Sequence, residues 1–173
     1  MMEKAVMLSI KPEWCQLIAS GKKKIEVRKT MPKLETPFKV FIYCTDGFSF
    51  SSDEVVNGWR KKVIGDFVCN QIDWMTHVGS NRDDIRLMLT DKYFVCKQIG
   101  YEYTERCCLT TGELEEYSNG GNLYGWHISD LVIYHEPLEL SKFRHCGANY
   151  HYNAPAVSRP PQSWCYVKEE EQA

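Results

Sequence analysis

One short stretch of the sequence places lysine, glutamate and arginine side chains close together. Residues 21–28, with the sequence GKKKIEVR, fit the pattern G-x-K-x-x-E-x-R, in which Gly21 ends one element and an alternating strand follows. On a regular strand Glu26 and Arg28 point to the same face. A carboxylate beside cationic groups could hold a phosphate or a polar base edge, and it could also support acid–base chemistry.

Lys23 has the wrong parity to join the face of Glu26 from a regular strand. It can join only if the chain bends at Gly21, and glycine permits such a bend. The alternative is an ordinary solvated strand face, in which Glu26 pairs with Arg28 or with a cross-strand lysine to little energetic effect. The motif by itself leaves a ligand site and a solvated face both open.

The residues before the motif predict the elements that position it. Residues 4–10 are typical of a strand, and Pro12 suits the first turn of a helix, where its missing N–H costs nothing. Helical spacing then gives one buried stripe, formed by Trp14, Leu17 and Ile18. Gly21 stands where a helix end favours a left-handed residue. We therefore predict a strand, a short helix over 12–20 and a charged strand over 23–29.

Five segments in this order resemble the ASCH family, whose fold is similar to that of the PUA domain. They are SIKP at 9–12, the motif at 21–28, VIGDF at 63–67, YGWHI at 124–128 and RPPQSW at 159–164. The resemblance extends from about Val6 to Val167. It implies an α+β fold, a PUA-like small mixed β-barrel with two or three short helices. The pattern of about six strands in the sequence favours the same architecture.

Further downstream, several elements are predicted from spacing and turn residues. Residues 45–58 are rich in Ser, Asp and Gly and indicate a loop, 63–74 indicate one long strand, and 82–89 indicate a short helix. Thr110 or Thr111 could cap a helix that runs to about Tyr117. We expect a single ASCH/PUA-like domain over 1–173, with its core at about 4–168 and an acidic tail at 169–173.

The resemblance also implies a cleft and the residues that border it. The expected ligand-binding residues are Lys11, Lys23, Glu26, Arg28, Asp66, Trp126, Ser163 and Trp164. Lys11 and Arg28 could hold a phosphate, and a carboxylate such as Asp66 could accept a hydrogen bond from the exocyclic amine of a base. The alternative for Asp66 is a structural ion pair with Arg28 or Lys23.

An aromatic ring in this cleft could stack on a base, as recognition of single-stranded RNA requires. The candidates are Trp126, Tyr124 and Trp164. The alternative is that these rings fill the core, as most aromatic residues do in a small folded domain.

Two functions follow from these features, and a third stays open. The leading prediction is an ASCH-type RNA- or nucleotide-binding domain with a basic cleft around the motif. The alternative is a small hydrolase that acts on N4-modified cytidine or on RNA, with Lys23 and Glu26 as its catalytic residues. In one branch of the family, whose members resemble an amidohydrolase, a threonine nucleophile stands where this sequence has Glu26. This chain would therefore need a different mechanism, such as activation of a water. A protein-interaction domain without a nucleic-acid role is the third possibility.

The charge distribution favours one anionic ligand at one place. The formal net charge is −2, which argues against broad wrapping of nucleic acid, yet residues 11–33 hold seven basic and only two acidic side chains.

No segment is typical of a signal peptide or a membrane span, so a cytoplasmic location is expected. The eight cysteines form no C-x-x-C pair, and the spacings of Cys107-Cys108 and of His145-Cys146 with His151 fit no common zinc pattern. We expect no metal, no cofactor and no membrane partner.

Overall fold

The structure is a computed structural model, and it describes residues 4–47, 54–80, 84–147 and 154–169. These residues form eleven strands and four short helices, so the fold is mixed α+β. The strands are β1 (Ala5–Ile10), β2 (Ile25–Arg28), β3 (Phe38–Cys44), β4 (Lys62–Cys69), β5 (Ile72–Val78), β6 (Arg86–Thr90), β7 (Cys96–Gln98), β8 (Leu123–His127), β9 (Ser129–Leu138), β10 (Phe143–His145) and β11 (Trp164–Glu169). The helices are α1 (Pro12–Ala19), α2 (Glu54–Trp59), α3 (Tyr101–Cys107) and α4 (Thr111–Ser118).

The chain divides into two compact units. The first comprises residues 1–20, 38–68 and 130–173, and the second comprises 21–37 and 69–129. Six strands form one sheet in the order β10-β11-β1-β3-β4-β9, and five form another in the order β2-β8-β5-β6-β7. The expectation of a single domain over 1–173 stays a prediction.

In the first unit β1 lies in the middle of the six-stranded sheet. It runs parallel to β3 and antiparallel to β11, and all six of its residues are buried. Its run of hydrophobic residues from Ala5 to Leu8 favours a strand that is covered on both faces. One core cluster of this unit contains Ala5, Met7, Phe41, Tyr43, Val63, Phe143, Val157 and Val167.

Gly65, in the VIGDF segment, allows a close backbone approach within the first unit. A Cβ at this position would lie 2.2 Å from the carbonyl oxygen of Val132 and 3.1 Å from the Cα of Ile133. Any side chain would therefore push β9 away from β4, which explains why glycine is needed in this segment.

The second unit packs α3 and α4 against one face of its five-stranded sheet. Ile25 and Val27 of β2 point to this face and join a core that also contains Met75, Leu87, Ile99, Tyr103, Cys107, Leu114 and Leu123. The backbone N–H of Lys24 donates to the carbonyl of Arg106 at 2.7 Å, which ties the start of β2 to α3. Glu26 and Arg28 consequently lie on the opposite face of the sheet.

The beginning of the chain folds as the sequence predicts. Pro12 stands in the first turn of α1, and Gly21, just past the helix end, has a φ of +73°, in the left-handed region that glycine tolerates. α4 begins with the predicted cap, because the Thr110 side chain accepts from the N–H of Glu113 and the Glu113 carboxylate accepts from the N–H of Thr110.

Three predicted elements are wrong. Residues 63–74 form two strands rather than one, since β4 ends at Cys69 and β5 begins at Ile72. Helix α2 occupies part of the predicted loop over 45–58, of which residues 48–53 lie outside the described part of the chain. The predicted helix over 82–89 is strand β6 in its described part, paired on both sides with β5 and β7. None of the helices in the described ranges is long and apolar enough to cross a membrane.

Candidate functional site

Three charged side chains of the motif form a buried cluster in the second unit. Arg28 Nη2 lies 2.9 Å from Glu26 Oε1, and Lys23 Nζ lies 3.5 Å from Glu26 Oε2. Only 2% of the Lys23 side chain, 7% of Glu26 and 11% of Arg28 are exposed. Both carboxylate oxygens thus face a cation, and the three groups together carry one net positive charge. We call these three residues the Lys23 cluster.

The bend at Gly21 brings Lys23 to the face of Glu26, as the parity argument requires. The positive φ of Gly21 turns the chain before β2 starts at Ile25. Lys23 Nζ is then held by a second group, because it donates to the carbonyl oxygen of Cys107 at 2.5 Å. The ammonium group therefore has a fixed position between α3 and Glu26, whereas a solvated lysine would be free to move.

The strand register extends the face of Glu26 and Arg28 across the sheet. Arg28 of β2 stands opposite Tyr124 of β8, and Tyr124 stands opposite Trp74 of β5. Residues directly opposite each other on antiparallel strands point to the same face, so a cation and two aromatic rings lie in one row. The rings of Tyr124 and Trp74 meet edge to face with centroids 6.4 Å apart, and Trp74 is 40% exposed.

Trp126 also lies on this face but has a different environment. It stands opposite Glu26, and none of its surface is exposed. The indole ring is thus buried, which is the alternative that the sequence left open. Because Trp126 is buried, Trp74 and Tyr124 are the better candidates on this face for a ring that a base could reach.

Two aromatic residues near the Lys23 cluster were missed from the sequence. Trp74 belongs to a segment for which only a long strand was predicted. Tyr117 of α4 is 39% exposed, and the Lys29 ammonium group lies 5.0 Å from its ring centroid. Burial raises the pKa of Tyr117, while the charge of Arg28 opposes this shift and the charge of Glu26 adds to it. The Tyr117 hydroxyl therefore lies near the Lys23 cluster. Only the pairing of distant segments reveals this proximity.

The other four predicted ligand-binding residues lie in the first unit. Lys11 is the exposed residue that precedes α1, and its carbonyl accepts from the N–H groups of Trp14 and Cys15. Ser163 immediately precedes β11 and Trp164 is its first residue. The Ser163 carbonyl accepts from the N–H of Ser9 at 2.9 Å.

Asp66 has structural partners within the first unit. Its carboxylate accepts from the hydroxyl of Tyr134 and lies 3.4 Å from the ammonium group of Lys39. The sequence pointed to Arg28 or Lys23 as the alternative ion-pair partner, and the structure places Lys39 in that role. Asp66 is 8% exposed.

The described part of the chain contains no group of three or more His, Cys, Asp or Glu side chains that could hold a metal ion. All eight cysteines are free thiols. Of the residues considered for zinc, His151 lies outside the described ranges.

Comparison with known proteins identifies the family. The family model for the ASCH domain matches residues 8–126, well over half of the chain. The chain is similar in fold to the crystal structure of ASCH from Zymomonas mobilis, with a TM-score of 0.53 and 18% identity over 95% of this chain and 87% of that chain.

Two variants of the same Zymomonas mobilis protein give similar values. A tyrosine-to-phenylalanine variant matches with a TM-score of 0.54 and 20% identity over 96% of this chain and 91% of that one. A serine-to-alanine variant matches with a TM-score of 0.52 and 19% identity over 95% and 88% of the two chains. No curated protein sequence matches the chain at a significant level. The fold is thus PUA-like, as the resemblance implied, and the chain belongs to the ASCH domain family.

Proposed function

We propose that this chain is an ASCH domain that binds RNA or a nucleotide, with a ligand site formed around Lys23, Glu26 and Arg28. The observation that supports it most is the row of Arg28, Tyr124 and Trp74 on one face of three neighbouring strands. A guanidinium group can hold a phosphate through two parallel hydrogen bonds, and an exposed ring can stack on a base. The row supplies both contacts about two strand spacings apart, roughly 10 Å.

The geometry of the Lys23 cluster supports binding of an acceptor-rich group. Glu26 holds the two cations at fixed positions, so their hydrogen-bond donors are already oriented before a ligand arrives. The cluster's net positive charge favours a phosphate or the acceptor edge of a base over a cationic ligand. Because the cluster is small, we expect binding to depend on salt as it would for only a few phosphate contacts.

Hydrolysis of N4-modified cytidine or of RNA is the second candidate, and the distance of 3.5 Å between Lys23 and Glu26 favours it. The contacts around these residues favour binding more. Glu26 already has a cation at each oxygen, and Lys23 already donates to the Cys107 carbonyl, so both groups already make structural contacts. A general base must have a substrate proton or a water within hydrogen-bond reach.

Titration of the protein with short single-stranded RNAs and with free nucleosides, at low and at moderate salt, tests the proposal. We expect binding at low salt and no turnover of N4-acetylcytidine or RNA. Failure to bind any of them at low salt would rule out the proposed function. Turnover that disappears in a Glu26→Gln variant shown to be folded would make the hydrolase the better assignment.

The aromatic part of the row predicts a specific loss. Trp74→Ala should weaken RNA binding by about 1–3 kcal/mol, since base–aromatic stacking is worth that much. Tyr93→Ala is the matched control, because Tyr93 is 73% exposed in the turn between β6 and β7 of the same sheet. The control should bind as the wild type does. If Trp74→Ala binds equally well in the same fluorescence anisotropy measurement, Trp74 has no stacking role.

A further inference from the structure

A second group of polar residues surrounds a cavity of about 650 Å³ in the second unit. Asp73 and His127 belong to the face of the sheet that packs against α3, whereas Trp74, which also lines the cavity, belongs to the face of Glu26 and Arg28. The residues that matter here are Asp73, Leu89, Lys97, Tyr103, Arg106 and His127. A volume of this size is within the range of small-molecule sites. We call it the Asp73 cavity.

Hydrogen bonds in the cavity fix the tautomer of His127. Arg106 Nη2 lies 3.3 Å from His127 Nδ1, and a guanidinium group can only donate, so Nδ1 accepts. The ring proton is therefore on Nε2, which donates to Asp73 Oδ2 at 2.5 Å. Gln71 donates to the other carboxylate oxygen at 2.6 Å. The result is a continuous chain of hydrogen bonds from Arg106 through His127 to Asp73.

This chain holds Arg106 in place and leaves His127 without a nitrogen for catalysis. Burial alone would raise the pKa of Asp73, but the hydrogen bonds from His127 and Gln71 lower it by more than burial raises it. The pKa is therefore below its ordinary value, and the carboxylate is ionised at neutral pH. An ionised Asp73 keeps the proton donated by His127 oriented toward it. His127 and Asp73 are therefore positioning residues for Arg106.

The backbone of Arg106 is anchored as well. Its carbonyl accepts from the N–H of Lys24, and the next carbonyl, of Cys107, accepts from Lys23 Nζ. A guanidinium group has five N–H donors in a planar fork, so donors remain for a ligand after the contact with His127. A cation fixed in this way loses little conformational entropy when it binds an anion.

Other charges at the cavity complete the description. Lys97 of β7 and Lys92 of the preceding turn are exposed and line the same cavity, so two lysines join Arg106 there. Asp91 also lines it, but its Oδ1 atom accepts from the N–H groups of Tyr93 and Val95 at 2.8 and 2.9 Å and thus serves the turn. Leu89 supplies an apolar wall on the face of Lys97, its partner across β6 and β7.

We propose that the Asp73 cavity binds a small organic anion, a carboxylate or a phosphate monoester attached to an apolar ring. Arg106 binds the anionic group through two hydrogen bonds, Lys97 adds a contact at the rim, and the ring lies against Leu89. The residues of the Lys23 cluster do not contact this ligand. Trp74, the proposed stacking ring of the RNA site, also lines this cavity. The two proposals use different cations, Arg106 and Lys97 here and Arg28 and Lys23 there, so substitutions of these cations distinguish them.

Calorimetric titration of the full chain with benzoate, phenyl phosphate and inorganic phosphate tests the proposal, since none of these probes contains a nucleobase. We expect at least one ring-bearing anion to bind about tenfold more tightly than inorganic phosphate, because its ring covers apolar surface. The comparison of benzoate with phenyl phosphate shows which anionic group the site prefers. Failure of both ring-bearing anions to bind the folded protein would overturn the proposal.

Substitutions locate the binding and separate it from folding. Arg106→Gln should weaken binding about tenfold or more, since charge-assisted hydrogen bonds are the strong ones. Lys97→Gln should weaken it severalfold, and because Lys97 is exposed this variant decides the matter if Arg106→Gln does not fold. Lys142→Gln, an exposed lysine of the first unit, is the matched control and should bind normally. Unchanged binding in Lys97→Gln and in folded Arg106→Gln would refute the site.

The positioning role of His127 has its own test. The amide of His127→Gln can accept from Arg106 and donate to Asp73, whereas His127→Ala can do neither. At matched thermal stability, His127→Gln should retain more of the binding than His127→Ala. Equal binding in the two variants would show that His127 does not position Arg106.

Discussion

At the scale of single residues, the motif could be interpreted from the sequence only in part. Strand parity predicted that Glu26 and Arg28 share a face, and they form an ion pair at 2.9 Å. Parity also showed that Lys23 needs a bend at Gly21, and the positive φ of Gly21 provides it. The contact of Lys23 with the Cys107 carbonyl joins residues 84 positions apart, and no local pattern predicts it.

Glu26 should contribute strongly to stability because it lies between two buried cations. We expect Glu26→Gln to lower the free energy of unfolding by about 3–5 kcal/mol, the scale for removing one partner of a buried ion pair. Asp46→Asn is the control, since the pair of Asp46 with Lys61 is more than half exposed and should be worth less than about 1 kcal/mol. Urea unfolding measures both. Similar losses in the two variants would mean that the Lys23 cluster behaves like a surface ion pair.

Gly65 makes a second prediction about a single residue. Its missing side chain leaves room for the Val132 carbonyl, so Gly65→Ala should destabilise the protein by at least about 1–3 kcal/mol through overpacking against backbone. In Gly58→Ala, also in the first unit, the added Cβ meets nothing within 4 Å, and a helical position should gain slightly from alanine. Equal unfolding midpoints for the two variants in urea would contradict the close approach of β9 to Gly65.

At the scale of elements, the features that a few neighbouring residues determine were predicted correctly from the sequence. The cap at Thr110 and the glycine after α1 were predicted because each acts within four or five residues. The helix over 82–89 was predicted from the helical spacing of Ile85, Met88 and Leu89, and this prediction was wrong. In the structure Arg86–Thr90 form β6, because pairing with β5 and β7 outweighs the local spacing, and Ile85, which precedes the strand, is 42% exposed.

The cap of α4 should make stability depend on pH. Hydrogen bonds from the N–H and hydroxyl of Thr110 lower the pKa of Glu113 below its ordinary value of 4.5. A group whose pKa is lowered by folding stabilises the protein above its unfolded pKa, and this stabilisation is lost as pH falls through the folded pKa. The wild type should therefore exceed Glu113→Gln in melting temperature at pH 7, and the difference should vanish toward pH 3.

Glu116→Gln is the control for this measurement, because Glu116 is exposed later on the same helix. A negative charge near a helix C-terminus is unfavourable, so this variant should lose no stability at pH 7. A constant difference between the wild type and Glu113→Gln from pH 7 to pH 3 would show that the charge of Glu113 does not contribute to the cap.

At the scale of the whole molecule, the order of the motifs identified the family and the α+β class, but not the division into two units. The first unit is assembled from three separate segments and the second from two. β1 pairs with β3 and with β11 at the other end of the chain, and such long-range pairings have no signature in a single sequence. The position of Trp74 beside Tyr124 and Arg28 likewise depends on the pairing of β2, β8 and β5, which is why Trp74 was missed.

The central claim is that the motif is a specific site and not diffuse positive charge, and a pair of substitutions tests it most directly. Arg28 belongs to the buried cluster, whereas Lys22, six residues earlier, is exposed. Binding of one single-stranded RNA and one nucleoside is to be measured for Arg28→Gln and Lys22→Gln after each is shown to be folded. Arg28→Gln should lose about 1–3 kcal/mol of binding free energy, the scale for a charge-assisted contact, and Lys22→Gln less than about 1 kcal/mol. Equal losses at the two positions would contradict the account.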